Sequence, residues 1–408
     1  MKLGKLTTLI EELISSNKFG SFIIYTDLEP DDLLALAILF AHLSKYSQID
    51  LRIVVGGGRI SKVIMMRNMM RYFKLTNFVV CEGDRSDAEY PEQLLRVFGE
   101  FYLRPGADIF HPIDESRTNI IMALKPVLEV LRLDDAICTN SILFAYGSFN
   151  FRSIGQTNQT LLQNKLSKFQ HVMLFERILS ITDNNDDSMS YYNYISSPIY
   201  RRLLRLMEEG NPLWGGIVES SQIWNQHITK KQLYKVMKSV KSILQHHQTE
   251  PIFGYYTGEE PLRVYRKIQT LMNATEERHP QIISQLQNLY TITATMLRIH
   301  FGKTYDPEID TITPIDKLML DLEHSIRIIE VNIHSQFMQM ALADQALVSA
   351  SLSGLNTIDC NITFDPETQR TVPVEGNKVE LFKCTFQVIN TAIFNNLDST
   401  ITMMNHKS

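Results

Sequence analysis

Four acidic residues lie within one six-residue stretch near the start of the chain: Asp27, Glu29, Asp31 and Asp32, with Pro30 between them. Carboxylates this close repel one another unless a cation neutralises them or their pKa values rise. Oxygen ligands without histidine or cysteine favour a hard cation, calcium or magnesium. Glu29 is expected to point elsewhere. On composition and position alone, a metal site and a set of solvated helix-capping acids carry equal weight.

The elements around this acidic loop indicate a parallel sheet. Residues 21–26 form an apolar, β-branched run that predicts a buried strand, and the apolar run that starts at residue 33 predicts a helix. Further strands are predicted at 49–55 and 77–81, with a helix between them. This β-α-β-α-β order predicts an α/β fold with a Rossmann-like, open, mostly parallel sheet flanked by helices. Ligand sites in such sheets lie at the carboxyl ends of the strands.

The later part of the chain predicts more strands, a helical insertion and a closing hairpin. Strands are expected at 136–139 and 171–175, whereas 141–146 fits either a strand or a helix. Residues 358–386 predict a β-hairpin that turns at Gly376-Asn377, followed by a last helix at about 387–399. Residues 1–408 are expected to form a single domain, with 199–300 as a largely helical insertion or subdomain within it.

Composition excludes several classes of function. The net charge is −5, and the sequence has no basic run of the kind that binds along a phosphate backbone. Nucleic acid is therefore not expected as the main partner. No apolar run is long enough to span a bilayer, and Glu11 and Glu12 interrupt the N-terminal apolar stretch, so neither a membrane span nor a signal peptide is predicted. The four cysteines form no C-x-x-C pair, which predicts free, mostly buried thiols in a reducing, cytoplasmic compartment.

The acidic loop resembles the D-x-D-P-G-x-D-D hallmark of the inosine–uridine-type nucleoside hydrolases, with Tyr25 in place of its first aspartate and the Pro-Gly pair replaced. Three later stretches are similar to other family motifs and follow in the family's order. They are 147–150, similar to G-P-L-T-N, 191–198, similar to E-F-N-I-x-x-D-P, and 314–319, similar to H-D-P-L-A.

This resemblance implies a calcium-dependent hydrolase that cleaves the N-glycosidic bond of ribonucleosides or related N-ribosides, and a homodimeric or homotetrameric assembly. It also implies a role for each matching residue. Asp27 is implied as the general base and a metal neighbour, and Asp32 as a bidentate metal ligand. The Phe149 carbonyl and Asp316 are implied as further metal ligands. Asp31 is implied to bind ribose, Asn193 to bind a ribose hydroxyl, and Asp316 to contact the substrate as well.

Three positions depart from the family pattern: Ile315 replaces a histidine that protonates the leaving base, Gly57 replaces a sugar-binding asparagine, and Tyr191 replaces a glutamate. These departures leave metal binding better supported than leaving-group activation. A catalytically inactive nucleoside- or sugar-binding homologue is therefore the main alternative. A haloacid-dehalogenase-type phosphatase needs a nucleophilic aspartate where Tyr25 stands, which counts against it.

A phosphate-binding loop is a further alternative, suggested by Gly56-Gly57-Gly58 together with Lys62. The spacing does not match G-x-x-x-x-G-K-[ST], so the segment is interpreted as a plain turn between a strand and a helix.

Overall fold

The computed structural model describes residues 4–56, 60–83, 114, 116–124, 133–146, 164–182, 195–222, 340, 342–365 and 370–405. The chain divides into two compact units, one comprising Met1–Ser221 and Met340–Ser408 and the other Gln222–Gln339. The elements below belong to the first unit. Most of the predicted insertion lies outside the described residues.

The first unit is built on one sheet of eight strands in the order β3-β2-β1-β4-β5-β6-β8-β7. Every neighbouring pair is parallel except β7 and β8, which form an antiparallel hairpin at one edge. The predicted open, mostly parallel α/β fold is confirmed. The strands are β1 Phe19–Thr26, β2 Asp50–Val55, β3 Phe78–Glu82, β4 Thr118–Ala123, β5 Ser141–Tyr146, β6 His171–Phe175, β7 Asn356–Asp365 and β8 Arg370–Lys383.

Helices follow most of the strands. They are α1 Lys5–Ser15, α2 Pro30–Leu43, α3 Ile60–Tyr72, α4 Asp135–Thr139, α5 Arg177–Ser180, α6 Ser197–Glu208, α7 Asp344–Leu352 and α8 Phe386–Asn405. A further helix begins at residue 212 and continues to the end of its described range at 222. No helix within the described ranges combines the length and apolar character that a membrane crossing requires.

The central strands β1, β4, β5 and β6 are buried on both faces of the sheet, whereas the edge hairpin carries exposed residues such as Ile358. Ile23, Ile121, Leu143, Leu174 and Leu381 come from five neighbouring strands and form the centre of one core cluster. Alternate residues point to the opposite face, where α1 contacts β1, and α7 contacts β5 and β6. Helix α2 is apolar on almost every side, and α7 and α8 both pack against it, so it is nearly completely buried. The four cysteines are buried free thiols, as predicted.

One predicted element differs in the structure, and the segment that fitted either a strand or a helix is a strand. Residues 136–139 belong to helix α4 instead of a strand, and the next apolar run, 141–146, forms β5 between β4 and β6. Short apolar runs do not reveal their period, so only pairing with neighbouring strands distinguishes the two segments. Strand β4 was not predicted at all.

The hairpin is confirmed, but its predicted turn was wrong. Gly376 and Asn377 lie inside β8, where the pairing with β7 shifts between Cys360 and Asn361. The Asn361 side chain fills this bulge, because its Oδ1 accepts the Lys378 N–H at 3.1 Å and its Nδ2 donates to the Glu375 carbonyl at 3.3 Å. Gly376 has a φ of 155°, which favours glycine, so this turn-like signal marks a bulge.

Packing of α1 against α7 depends on the absence of a side chain at Gly4. A Cβ atom there would collide with the main chain of Leu352 at the end of α7. We expect Gly4→Ala to lower the free energy of unfolding by about 1–3 kcal/mol, measured by chemical denaturation. Gly215→Ala is the matched control, since its Cβ meets Met207 at an ordinary 3.5 Å. That helical substitution should be neutral or stabilising by about 0.5–1 kcal/mol. Equal effects of the two substitutions would contradict the prediction.

Candidate metal centre

The loop between β1 and α2 is held by the hydroxyl of Thr26, the last residue of β1. Leu28 is fully buried and has a φ of 58°, a left-handed conformation that is strained for a residue with a side chain. The Leu28 N–H donates to Thr26 Oγ1 at 3.1 Å, which stabilises this conformation. The chain can therefore reverse within three residues and begin α2 at Pro30.

Asp32 is the most rigidly placed carboxylate of the loop. Its Oδ1 accepts the Thr26 hydroxyl at 2.5 Å, and its Oδ2 accepts the Glu29 N–H at 3.1 Å in a capping-box arrangement. The side chain is almost fully buried. Each carboxylate oxygen keeps a lone pair beyond these hydrogen bonds, so Asp32 is oriented but remains able to bind a cation.

Helix α7 adds a further carboxylate from far along the sequence. Asp344 is the first residue of α7 and is 4% exposed, and the helix is buried through Ser351 where it packs against α2. The Tyr146 hydroxyl, at the end of β5, donates to the Leu342 carbonyl at 3.4 Å and so ties the segment before α7 to the sheet. Asp344 Oδ1 has no hydrogen-bond partner among the described residues.

Asp31, Asp32 and Asp344 form an acidic triad that could hold a metal ion. One carboxylate oxygen from each residue lies within 4.8 Å of the others. Calcium binds oxygen at about 2.3–2.6 Å, so two ligands on opposite sides of the ion are about 5 Å apart. The triad therefore has the size and the all-oxygen chemistry of a site for a hard divalent cation, and the unpartnered oxygen of Asp344 is accounted for by such an ion.

Burial and mutual repulsion raise the pKa values of all three acids. Burial, followed by the charge of Asp27, raises the pKa of Asp31 to about 7. Burial and then the charge of Asp344 raise the pKa of Asp32 well above its usual range, and burial and then Asp31 do the same for Asp344. Burial and repulsion therefore favour the protonated form of these acids when no cation is bound, and a bound cation would displace the protons.

A buried lysine lies beside this loop. Lys62, on α3, is 1% exposed, and its Nζ donates to the Asp27 carbonyl at 2.7 Å and to the Gly56 carbonyl at 3.4 Å. The spacing of this segment favoured a plain turn between strand and helix, which gives Lys62 no role. The neighbouring sequence does not indicate that Lys62 is buried, since a surface lysine in an amphipathic helix has the same kind of neighbours.

The structure brings Asp27, Asp31 and Asp32 together at the carboxyl end of β1. This strand lies between β2 and β4, where the strand order reverses, which is the ligand-binding position of such sheets. Asp31 and Asp32 belong to the triad. Asp27 lies close enough to the triad for its charge to raise the pKa of all three members. The other predicted site residues, Phe149, Asn193 and Asp316, lie outside the described residues.

Asp344 was not identified from the sequence, although a signal for it exists. It precedes the run Gln345-Ala346-Leu347-Val348, which is buried throughout. Helix α2 shows the same pattern, because Asp31 and Asp32 lie at the start of a helix that is buried on almost every side. Such an acid is buried with the helix instead of being solvated, so the pattern itself indicates a site.

No protein-family model matches the sequence, and no curated protein matches it closely enough to indicate a relative.

The raised pKa of Asp31 predicts a pH dependence of stability in cation-stripped protein. Its pKa is about 7 in the folded chain against 3.8 as the unperturbed value, so the folded state binds this proton more tightly. Stability should therefore rise as the pH falls from about 7 towards 4. Thermal unfolding between pH 7.5 and 5.5 should show a larger rise in midpoint for wild type than for Asp31→Asn, which cannot titrate. Identical slopes would contradict the prediction.

Asp344→Asn should weaken divalent-cation binding. The substitution removes a charge and exchanges a carboxylate for a weaker amide ligand, so we expect a dissociation constant at least about 10-fold higher. Isothermal titration with Ca²⁺ measures this directly. Asp359→Asn is the control, because Asp359 is an exposed acid on β7 outside the triad. An equal effect of the two substitutions would show that Ca²⁺ binds elsewhere.

Proposed function

We propose that this chain is a divalent-cation-dependent hydrolase that uses Ca²⁺ to cleave the N-glycosidic bond of ribonucleosides or related N-ribosides. The observation that carries the proposal is the buried triad of Asp31, Asp32 and Asp344 at the strand-reversal point of the sheet. The spacing of Asp27, Asp31 and Asp32 behind β1, which resembles the nucleoside-hydrolase hallmark, supports the choice of substrate class.

A purely structural role explains this cluster poorly. Capping of α2 accounts for Asp32, which accepts the Glu29 N–H, but it does not account for Asp344, whose buried Oδ1 has no hydrogen-bond partner in the described part of the chain. Several acids buried together are unfavourable unless a cation compensates for their charge or they stay protonated. A cation at the triad relieves both the repulsion and the unsatisfied oxygen.

Each acid has a proposed role that follows from its surroundings. Asp32, held by Thr26 and Glu29, serves as a cation ligand, and so does Asp344, whose Oδ1 accepts no hydrogen bond from any described residue. Asp344 adds a cation ligand beyond those that the resemblance implies, and Asp316 keeps its implied role as a metal and substrate ligand. Asp31 is half-buried and binds the ribose hydroxyls. Phe149, through its carbonyl, and Asn193 keep the roles implied by the resemblance.

Asp27 is proposed both as the general base and as a neighbour that contributes to cation binding. It is partly exposed beside the triad, so a water molecule can reach it and give up a proton to its carboxylate as that water attacks the anomeric carbon. The C–N bond breaks as the new C–O bond forms, and the base leaves with the bonding electron pair and takes a proton from solvent. When bound, the cation lowers the pKa of such a water and orients the sugar hydroxyls. The positive charge that develops on the sugar ring is stabilised by the surrounding carboxylates.

A cation-dependent protein that binds nucleosides or sugars without cleaving them is the second candidate. Ile315 stands where many family members carry the acid for the departing base, and this departure favours the binding-only alternative. Both candidates need the same cation site, so only product release separates them.

Ribose release from a panel of nucleosides, with Ca²⁺ and with chelator, tests the proposal. We expect release that the chelator abolishes and that Asp27→Ala lowers by roughly 10²- to 10⁴-fold, the usual contribution of a general base. Asp359→Ala, on the exposed face of β7, should leave the rate unchanged.

Two other outcomes are informative. A Ca²⁺-dependent rise in melting temperature on adding nucleoside, without release, would replace the hydrolase by the binding-only candidate. No release and no nucleoside-dependent shift would refute both.

A further inference from the structure

Lys62 is a charged side chain in a place where charged side chains are rare. It is 1% exposed and is among the largest fully buried side chains of the described residues. Lysine is almost never buried to this extent unless its ammonium is held by specific acceptors. It lies in the first turn of α3, the helix that follows β2, and so at the carboxyl edge of the sheet.

The Lys62 ammonium connects the ends of two adjacent strands. It donates to the Asp27 carbonyl, just beyond β1, and to the Gly56 carbonyl, just beyond β2. The Gly56 N–H donates in turn to the Thr26 carbonyl at 2.8 Å, which extends the ladder between these strands by one bond. The start of the acidic loop is thereby attached to β2 as well as to β1.

The peptide group between Asp27 and Leu28 is held at both of its polar atoms. Its carbonyl oxygen accepts from Lys62 Nζ at 2.7 Å, and its N–H donates to Thr26 Oγ1 at 3.1 Å. Orienting this peptide plane determines ψ of Asp27 and φ of Leu28, the latter at a strained 58°. These two angles set how Asp27 lies relative to Asp31 and Asp32 further along the loop.

We propose that Lys62 is a positioning residue that sets Asp27 against the acidic triad by orienting the Asp27–Leu28 peptide group. The inference rests on the cation site of the proposed function. The charge of Lys62 acts in the opposite direction to this positioning role. A buried positive charge repels a nearby cation, so removing the charge would strengthen cation binding. The direction of the change therefore separates positioning from charge.

Lys62→Met tests this proposal, since methionine keeps an unbranched apolar stem and loses the donor and the charge. We expect the dissociation constant for Ca²⁺, measured by isothermal titration, to rise about 10-fold, the usual effect of losing a residue that orients a metal site. Lys62→Gln, which keeps an N–H donor on a shorter stem, should recover part of the affinity. Lys45→Met is the matched control, because Lys45 is an exposed lysine just beyond the other end of α2.

A double-mutant cycle shows whether Lys62 acts through Asp27. In an Asp27→Asn background, titrated with Tb³⁺ so that weaker sites remain measurable, Lys62→Met should change the dissociation constant by less than about 2-fold. The cycle is completed with the same ion on wild type and Lys62→Met. An effect of equal size in both backgrounds would assign Lys62 a general structural role and overturn the proposal.

The remaining outcomes are also decisive. Unchanged or tighter Ca²⁺ binding by Lys62→Met, with wild type binding normally, overturns the role of Lys62 and leaves the cation site intact. If Lys62→Met does not fold, Lys62→Gln carries the same cycle. Absence of Ca²⁺ binding by wild type refutes the cation site itself, and the role of Lys62 with it.

Discussion

Carboxyl groups of like charge are buried together where two helices begin, and the surrounding structure serves to hold them there. Asp31 and Asp32 open α2, and Asp344 opens α7, which packs against α2. Burial and repulsion both raise the pKa values of these acids. The arrangement persists because the positive ends of the helices, the Thr26 hydroxyl and the Glu29 N–H favour the charged groups in place.

The apolar helices are the other half of this arrangement. Residues Leu33–Ala41 of α2 are buried without interruption, and α7 has no polar face in contact with solvent. An acid attached to the first turn of such a helix is drawn into the protein with it. Packing energy spread over many apolar side chains thus offsets the desolvation of a few carboxylates, which connects the hydrophobic core directly to the chemistry of the site.

The sequence predicts those parts of this arrangement that depend on local patterns. The apolar runs locate β1, β2, β3 and β6 to within one or two residues, and the acidic loop identifies Asp31 and Asp32 as site candidates. Lys62 cannot be recognised from local patterns, because its role depends on carbonyl groups of two other segments. Asp344 is indicated only by the buried run that follows it. Residues 136–139 and 141–146 are both short apolar runs, and only the pairing of neighbouring strands decides which becomes β5. The structure leaves Phe149, Asn193 and Asp316 as predictions, since they lie outside the described residues.

The position of α7, α8 and β8 late in the chain has a consequence for synthesis on the ribosome. Helix α2 is covered by α7 and α8, and β6 gains its outer neighbour only with β8. A growing chain that ends before residue 340 therefore exposes the apolar helix α2 and the unpaired edge of β6. Its Asp31 and Asp32 have not yet met Asp344, the third member of the triad. We expect such a nascent chain to be prone to aggregation, and the acidic triad to form only when the last segment docks.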